Sequence, residues 1–187
     1  MGLLRQYTHF LKFEEIREHL HYDADTGIFT WIRIGRGRPP VGSRAGQLTA
    51  NGYRVIGFAG KLRSEGRLAW YFSYGSFPPK GMDIDHINRD PADNRLVNLR
   101  VATRSQNMAN AKKRTRKGGP ASQYKGVSWQ GAWRAAYQKD GQLKFLGYFT
   151  NEIDAARAYD MAVIAAFGEY ALPNFPRAAC GAQKGRG

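Results

Sequence analysis

Apolar residues at Leu11, Phe13, Ile16 and Leu20 fall near helical spacing and predict a helix over 11–20. The next segment, "YDADTGIFTWI", reads as a hairpin turning at Asp25, Thr26 and Gly27. "GYRVIGFAGKLRSEGRLAWYF" predicts two strands joined by a turn at Gly60 and then a short helix over 68–74, which "GSFPPKG" breaks. "MDIDHI" predicts a further strand, "NRDPADNR" a polar turn, and "LVNLRVA" is expected to contain the returning strand. Thr103 and Gln106 have the spacing of a capping box and open a helix that carries Asn107.

The pattern then lapses. Residues 111–123, "AKKRTRKGGPASQ", contain no apolar residue larger than alanine and read as an exposed linker. Beyond it, "YKGVSWQ", "AWRAAYQKD" and "QLKFLGYF" predict three strands, with a hairpin turn at Asp140 and Gly141. A helix follows from Asn151, with Asp154 in the position of a capping partner, and stops at Gly168. The last segment, 177–187, is Gly- and Ala-rich without periodicity and reads as a flexible tail. The fold expected is α+β in two domains.

Charge narrows the class of partner. Of 187 residues, 29 are Lys or Arg against 15 Asp or Glu, a formal net charge of +14, so the expected partner is a polyanion, nucleic acid first. Five of the thirteen linker residues are basic and none is acidic. The chain has no apolar run near the ~20 residues of a membrane span and no secretory apolar core, so the expectation is a cytoplasmic protein without a membrane partner. The single Cys180 excludes an internal disulfide framework and a multi-thiolate zinc site.

The chemistry lies in "MDIDHINRDPADNRLVNLRVATRSQNMAN". A strand, a turn, a return strand and a helix would set Asp85 and His86 near the helix that bears Asn107. Phosphodiester hydrolysis needs a deprotonated water and neutralisation of charge on the phosphate and the departing 3′ oxygen. An imidazole suits the first task. The Asp85 carboxylate and the Asn107 amide oxygen are hard ligands suited to magnesium, whereas zinc would want more nitrogen or sulfur. A lone His in an Asp/Asn-rich turn is ordinarily a solvated loop residue, and the three spaced positions are what single this one out.

The segment resembles the HNH (ββα-metal) nucleases, particularly the phage and intron homing endonucleases in which the last His is replaced by Asn. The resemblance implies His86 as general base, Asp85 and Asn107 as metal ligands, and Asn98 as the residue whose amide braces the loop and orients His86. It extends upstream through "YDADTGIFTWI", "NGYRVI" and "RLAWYF". Relatives commonly carry His directly before "RLAW", where this chain has Gly66. The implied activity is cleavage of double-stranded DNA, one strand per active site, with magnesium as cofactor, manganese as a substitute and no small-molecule cofactor. Arg89, Arg95, Arg100 and Arg104 read as surface charges, with Arg104 the best phosphate contact among them because it opens a helix.

Residues 124–176, with "YKGVSW", "WRAAY", "FLGYF", "AARAYD" and "LPNFP", resemble the plant APETALA/ERF-type DNA-binding domain, a three-stranded antiparallel sheet on one helix. Alternation puts Trp133, Ala135 and Tyr137 toward the helix face of Ala155, Ala158, Tyr159 and Ala162. Arg134, Ala136 and Gln138 then face outward, with Lys125, Ser128 and Phe145 beside them. The expected DNA contacts are Lys125, Ser128, Arg134, Gln138 and Phe145, together with Arg104 and the linker residues Lys112, Lys113, Arg114, Arg116 and Lys117.

The organisation expected is therefore a nuclease domain over 1–110 with its ββα-metal core at 82–110, a basic linker over 111–123, a DNA-recognition domain over 124–176 and a tail over 177–187. One apparent active site implies a nicking monomer, with double-strand cleavage requiring a dimer or two sequential nicks. The alternative is a DNA-binding transcriptional regulator with a vestigial nuclease centre. A structural RNA-binding protein would account for the charge but not for the spaced Asp85, His86, Asn98 and Asn107.

Overall fold

A computed structural model describes residues 14–33, 39–113 and 122–176. The chain divides into two compact units, residues 1–102 and 103–187.

In the first unit, residues 14–17 are helical and β1 (Leu20–Asp23) begins at once. The helix expected over 11–20 thus ends early in the described part, because Leu20 pairs with Trp31 of β2 (Ile28–Trp31). The hairpin turns where expected: Asp23 Oδ1 accepts from the amides of Asp25 (2.9 Å) and Thr26 (3.3 Å), and Gly27 adopts φ 71°. A second antiparallel sheet has the order β3 (Gln47–Leu48), β4 (Arg54–Phe58), β5 (Lys61–Ser64), with Ala59 and Gly60 turning between β4 and β5.

Helix α1 (Glu65–Tyr74) starts three residues before Leu68, because the Ser64 hydroxyl accepts from Arg67 N and caps it, and it ends at left-handed Gly75. Ile16, Leu20, Phe29, Trp31, Ile56, Leu68 and Leu99 form one core that joins these elements. Strand β6 (Met82–His86) pairs with β7 (Leu99–Thr103). The return strand β7 begins within "LVNLRVA", the segment expected to contain it, after Leu96–Asn98 form a 3₁₀ turn.

In the second unit, α2 (Arg104–Asn110) opens with the predicted capping box: Thr103 N donates to Gln106 Oε1 (2.7 Å) and Gln106 N to Thr103 Oγ1 (3.2 Å). The unit begins eight residues before the end of the 1–110 segment, because α2 is bonded to elements that follow it. Leu172 N donates to Ala109 O (3.1 Å), and Lys125 Nζ donates to the carbonyls of Met108 (3.1 Å), Ala109 (2.6 Å) and Ala111 (2.6 Å) at the helix C-terminus.

Strands β8 (Val127–Trp129), β9 (Trp133–Lys139) and β10 (Gln142–Phe149) form an antiparallel sheet with β9 central. Helix α3 (Glu152–Phe167) packs on it through Ala155, Ala156, Tyr159 and Val163. Its cap is Asn151 Oδ1 accepting from Ile153 N (2.8 Å), rather than a box with Asp154. The buried Asp160 carboxylate accepts from the amides of Asn174 (2.7 Å) and Phe175 (2.9 Å), tying "LPNFP" to α3. Among the described residues no helix is long and apolar enough to cross a membrane.

Candidate active site

The loop between β6 and β7 is organised by two side chains. Asn98 is buried; its Oδ1 accepts from Asn88 N (2.9 Å), its Nδ2 donates to Asp93 O (2.7 Å), and its carbonyl accepts from Ile87 N (2.9 Å). Asn98 is thus bonded to Ile87 and Asn88 at the start of the loop and to Asp93 in its middle. Asp93 gathers the middle: its carboxylate accepts from Arg95 Nε (2.8 Å), Arg95 Nη2 (2.6 Å) and Asn88 Nδ2 (2.7 Å). These bonds, those from Arg95 first, hold its pKa down to about 2.

The hairpin of β1 and β2 seats this loop from below. Tyr22 Oη donates to Asn94 O (2.7 Å), and Leu96 N donates to Ala24 O (3.0 Å). Gly27 lies so close that a Cβ there would run into Arg95 N and stand 2.5 Å from the Asn94 carbonyl carbon. Only glycine admits that approach at this φ.

His86 ends β6 with 8% of its surface exposed. Its Nε2 lies 3.0 Å from Asn94 Oδ1. The Tyr53 ring meets the imidazole edge-on, centroids 6.1 Å apart. Asn94 Nδ2 donates to Glu65 Oε2 (3.3 Å), and Arg54 Nε donates to both Glu65 oxygens (3.1 Å each). Glu65 is wholly buried, and burial pushes its pKa up while the Arg54 guanidinium and the Asn94 amide pull it back. Gly66 adjoins the same place: a Cβ there would lie 3.1 Å from Asn94 Oδ1 and 3.6 Å from the His86 ring. The position where relatives carry His is thus beside the imidazole.

Asp85, next to His86 and also buried, forms an ion pair with Arg100 of β7, Nε to Oδ2 2.8 Å. This corrects the reading of Arg100 as a surface charge, since both partners are largely buried. Arg95 is likewise engaged, with Asp93, although its side chain is half exposed. Asn107 lies half-buried on α2 of the second unit. An aspartate and an asparagine offer hard oxygen donors, which suit a small divalent cation. Among the described residues no group of three or more His, Cys, Asp or Glu could hold a metal ion.

The expected DNA-contacting residues of the second unit separate into four groups. Ser128, Arg134 and Tyr148 stand side by side across β8, β9 and β10, Ala136 faces Phe145, and Gln138 faces Leu143, so these side chains share one sheet face. Phe145 and Tyr148 are 54% and 58% exposed, their rings are 5.2 Å apart, and the Arg134 guanidinium lies 5.6 Å from the Phe145 centroid. Trp133, Ala135 and Tyr137 pack toward α3 as alternation predicts, but Ala136 is buried despite its outward register, a small methyl opposite a large ring.

Arg104 is exposed and shares an open cleft of about 520 Å³ with Thr103, Ser105, Gln138 and Asp140. Lys112 is exposed. Lys113 and Lys125 depart from the expectation, because both ammonium groups bind main-chain carbonyls. Lys113 donates to Ser122 O and to Tyr124 O (2.6 Å), with burial lowering its pKa, and Lys125 closes the end of α2. Arg114, Arg116 and Lys117 lie outside the described residues.

Asn94, Glu65, Arg54 and Arg100 were not singled out from the sequence as site residues. The signal available was weak: "DNR" reads as turn chemistry, and Glu65 falls before the helix expected over 68–74.

Compared with known proteins, the chain is 27% identical over 148 residues to an uncharacterized HNH endonuclease of Acanthamoeba polyphaga mimivirus, a match that covers 79% of this chain and 75% of that protein. No solved structure matches it significantly. Residues 66–109, which include Asp85, His86, Asn94, Asn98 and Asn107, match the family model described as HNH endonuclease.

Proposed function

We propose that the protein is a magnesium-dependent endonuclease of the HNH homing type that hydrolyses phosphodiester bonds in double-stranded DNA. The observation that carries this reading is the buried His86, held through Nε2 by Asn94 and adjacent to the Asp85 carboxylate, inside the segment that matches the HNH endonuclease family. His86 takes a proton from the attacking water; the water oxygen bonds to phosphorus as the bond to the 3′ oxygen breaks, leaving a 5′ phosphate and a 3′ hydroxyl. A magnesium ion, or manganese in its place, would be held by Asp85 and Asn107 and would neutralise charge on the phosphate and the departing oxygen. Asn98 keeps the loop closed so that Asp85 and His86 stay at its base.

Residues 1–110 would carry catalysis, and 124–176, similar to an APETALA/ERF-type domain, target recognition. The exposed face of Ser128, Arg134, Gln138 and Phe145 suits a DNA groove, with Arg134 able to pair guanine or phosphate and Gln138 adenine. Arg104, Lys112, Arg114, Arg116 and Lys117 would follow the phosphate backbone. A monomer with one site nicks one strand, in a host cytoplasm or nucleoid, as part of a phage or other mobile element.

The test is conversion of supercoiled plasmid to nicked and linear forms by purified protein with magnesium or with EDTA, beside His86→Ala. Magnesium-dependent nicking lost in the variant is the expected result. The second reading, a DNA-binding regulator with a vestigial centre, is favoured by one observation: the Arg100 guanidinium bonds the Asp85 carboxylate assigned to the cation. DNA binding without cleavage under magnesium or manganese, across varied substrates, would select it.

A further inference from the structure

The segment that matches the HNH endonuclease family, 66–109, crosses the division between the two units, and residues 103–109 fall in the second. Helix α2, which carries Asn107, is fastened there at both ends. At its start, Ser105 Oγ accepts from the amide of Asp140, in the turn between β9 and β10 (2.7 Å). At its end, Lys125 Nζ donates to the carbonyls of Met108, Ala109 and Ala111, and Leu172 N to that of Ala109. Between them, Ala109 joins the buried cluster of Tyr159, Val163, Phe167 and Ala171. A helix of seven residues does not hold its shape alone in water, so the elements it is fastened to decide where it sits. Arg104 of α2 and Gln138 of β9 line one open cleft, which brings the helix start beside the sheet face proposed to read DNA.

Residues 111–123 do not run from one unit to the other. Both ends lie in the second unit, and Lys113 Nζ draws them together by donating to the carbonyls of Ser122 and Tyr124. In the chain the units join at 102–103, where β7 runs into the capping box of α2 with no residue between.

We propose that α2 is the arm through which the recognition sheet fixes which phosphodiester is cut: helix and sheet are one piece, and 111–123 is a side loop of that piece instead of a tether between catalysis and recognition. The nuclease reading supplies the bond that is cut; the attachment of α2 to the sheet does not depend on it. The two arrangements differ in reach. A flexible tether of the thirteen residues 111–123 would let recognition and cleavage drift apart by about 20 Å r.m.s., about six base pairs of duplex. A helix fastened to the sheet holds the cut to one position relative to the bases read.

Two experiments on the full chain test this. Native-state hydrogen exchange follows the Ala111 amide, which donates to Asn107 O (3.1 Å) at the end of α2, beside the amides of β4 and β9. Val163→Ala thins the core of the second unit and should accelerate Ala111 and β9 about tenfold while β4 keeps its wild-type rates. Leu68→Ala thins the core of the first unit and should accelerate β4 alone. Ala111 following β4, or all three accelerating together in both variants, would overturn the proposal.

The second experiment maps nicks on both plasmid strands to the nucleotide, with magnesium, for wild type and for a chain with eight Gly/Ser residues inserted between Lys117 and Gly118. A side loop tolerates added length, so the two sets of positions should coincide. Two glycines inserted between Ala102 and Thr103 should instead scatter the nicks or reduce nicking by about tenfold or more, with β4 and β9 still protected from exchange. Nicks scattered by the loop insertion, or left in place by the junction insertion, would overturn the proposal. If wild type nicks nothing while Ala111 follows β9, the attachment of α2 stands and the nuclease reading falls. If wild type nicks and the loop insertion scatters the positions, the nuclease reading stands and the arm falls.

Discussion

Gly27→Ala tests how the β1–β2 hairpin supports the site, with Gly60→Ala as its control. Both glycines sit in hairpin turns at nearly the same dihedral, φ 71° and 72°, so an alanine at either suffers the same left-handed strain of about 1–2 kcal/mol. They differ in surroundings. A Cβ on Gly60 meets nothing within 4 Å, whereas one on Gly27 runs into Arg95 N and stands 2.5 Å from the Asn94 carbonyl carbon. Those are backbone atoms and cannot swing away.

Room can be made only by parting the turn from the loop, which removes Tyr22 Oη to Asn94 O and Leu96 N to Ala24 O. At about 1 kcal/mol net for each bond, Gly27→Ala should cost about 2 kcal/mol more than Gly60→Ala in urea unfolding. Hydrogen exchange at the Leu96 amide should accelerate in Gly27→Ala alone. Because the displaced segment carries Asn94, nicking should fall in Gly27→Ala and stay near wild type in Gly60→Ala. Equal destabilisation by the two substitutions, or an unchanged Leu96 amide, would refute the claim that the hairpin holds the loop in place.

Other outcomes follow from single contacts. Asp93 has its pKa depressed to about 2 from 3.8, so the folded form binds its proton only at lower pH than the unfolded chain does; its contribution to stability is present above about pH 4 and lost as pH falls toward 2. Acid titration of thermal stability in wild type against Asp93→Asn should show the slope between those values in wild type only. Arg100→Ala strips a buried carboxylate of its guanidinium and should cost about 3–5 kcal/mol without metal; on the proposed reading added magnesium should raise Tm more in the variant than in wild type, measured by calorimetry. Arg134→Ala should weaken DNA binding and, if Arg134 meets a phosphate, reduce the salt slope of log Kd by about 1, while Lys125→Ala, whose ammonium is occupied by α2 carbonyls, should lower thermal stability without that change.

Much of the fold was legible because its signals are local. The Asp25–Gly27 turn, the Gly60 turn, the Thr103 and Gln106 capping box, the Asp140 and Gly141 hairpin and the stop at Gly168 each depend on residues a few positions apart. The spacing of Asp85, His86, Asn98 and Asn107 is a linear pattern of the same kind. Where competition between elements decides, local reading failed: Leu20 has helical spacing but pairs with Trp31 in β1.

The partners of the site were not legible, for a physical reason. A buried polar side chain must find a complementary group, and the group it finds is chosen by packing rather than by sequence distance. Glu65 and Asn94 are 29 positions apart, Asp85 and Arg100 15, and Tyr22 and Asn94 72. From the sequence Glu65 precedes the helix expected over 68–74, Asn94 is a turn residue, Arg100 a surface charge and Lys125 a DNA contact. Tertiary packing makes Glu65 the partner of the Asn94 amide, Asn94 the neighbour of an imidazole, Arg100 the partner of a buried carboxylate and Lys125 the cap of a helix. The sequence by itself determined which elements form and which residues can do the chemistry; the three-dimensional fold alone decided which way each of those residues is held.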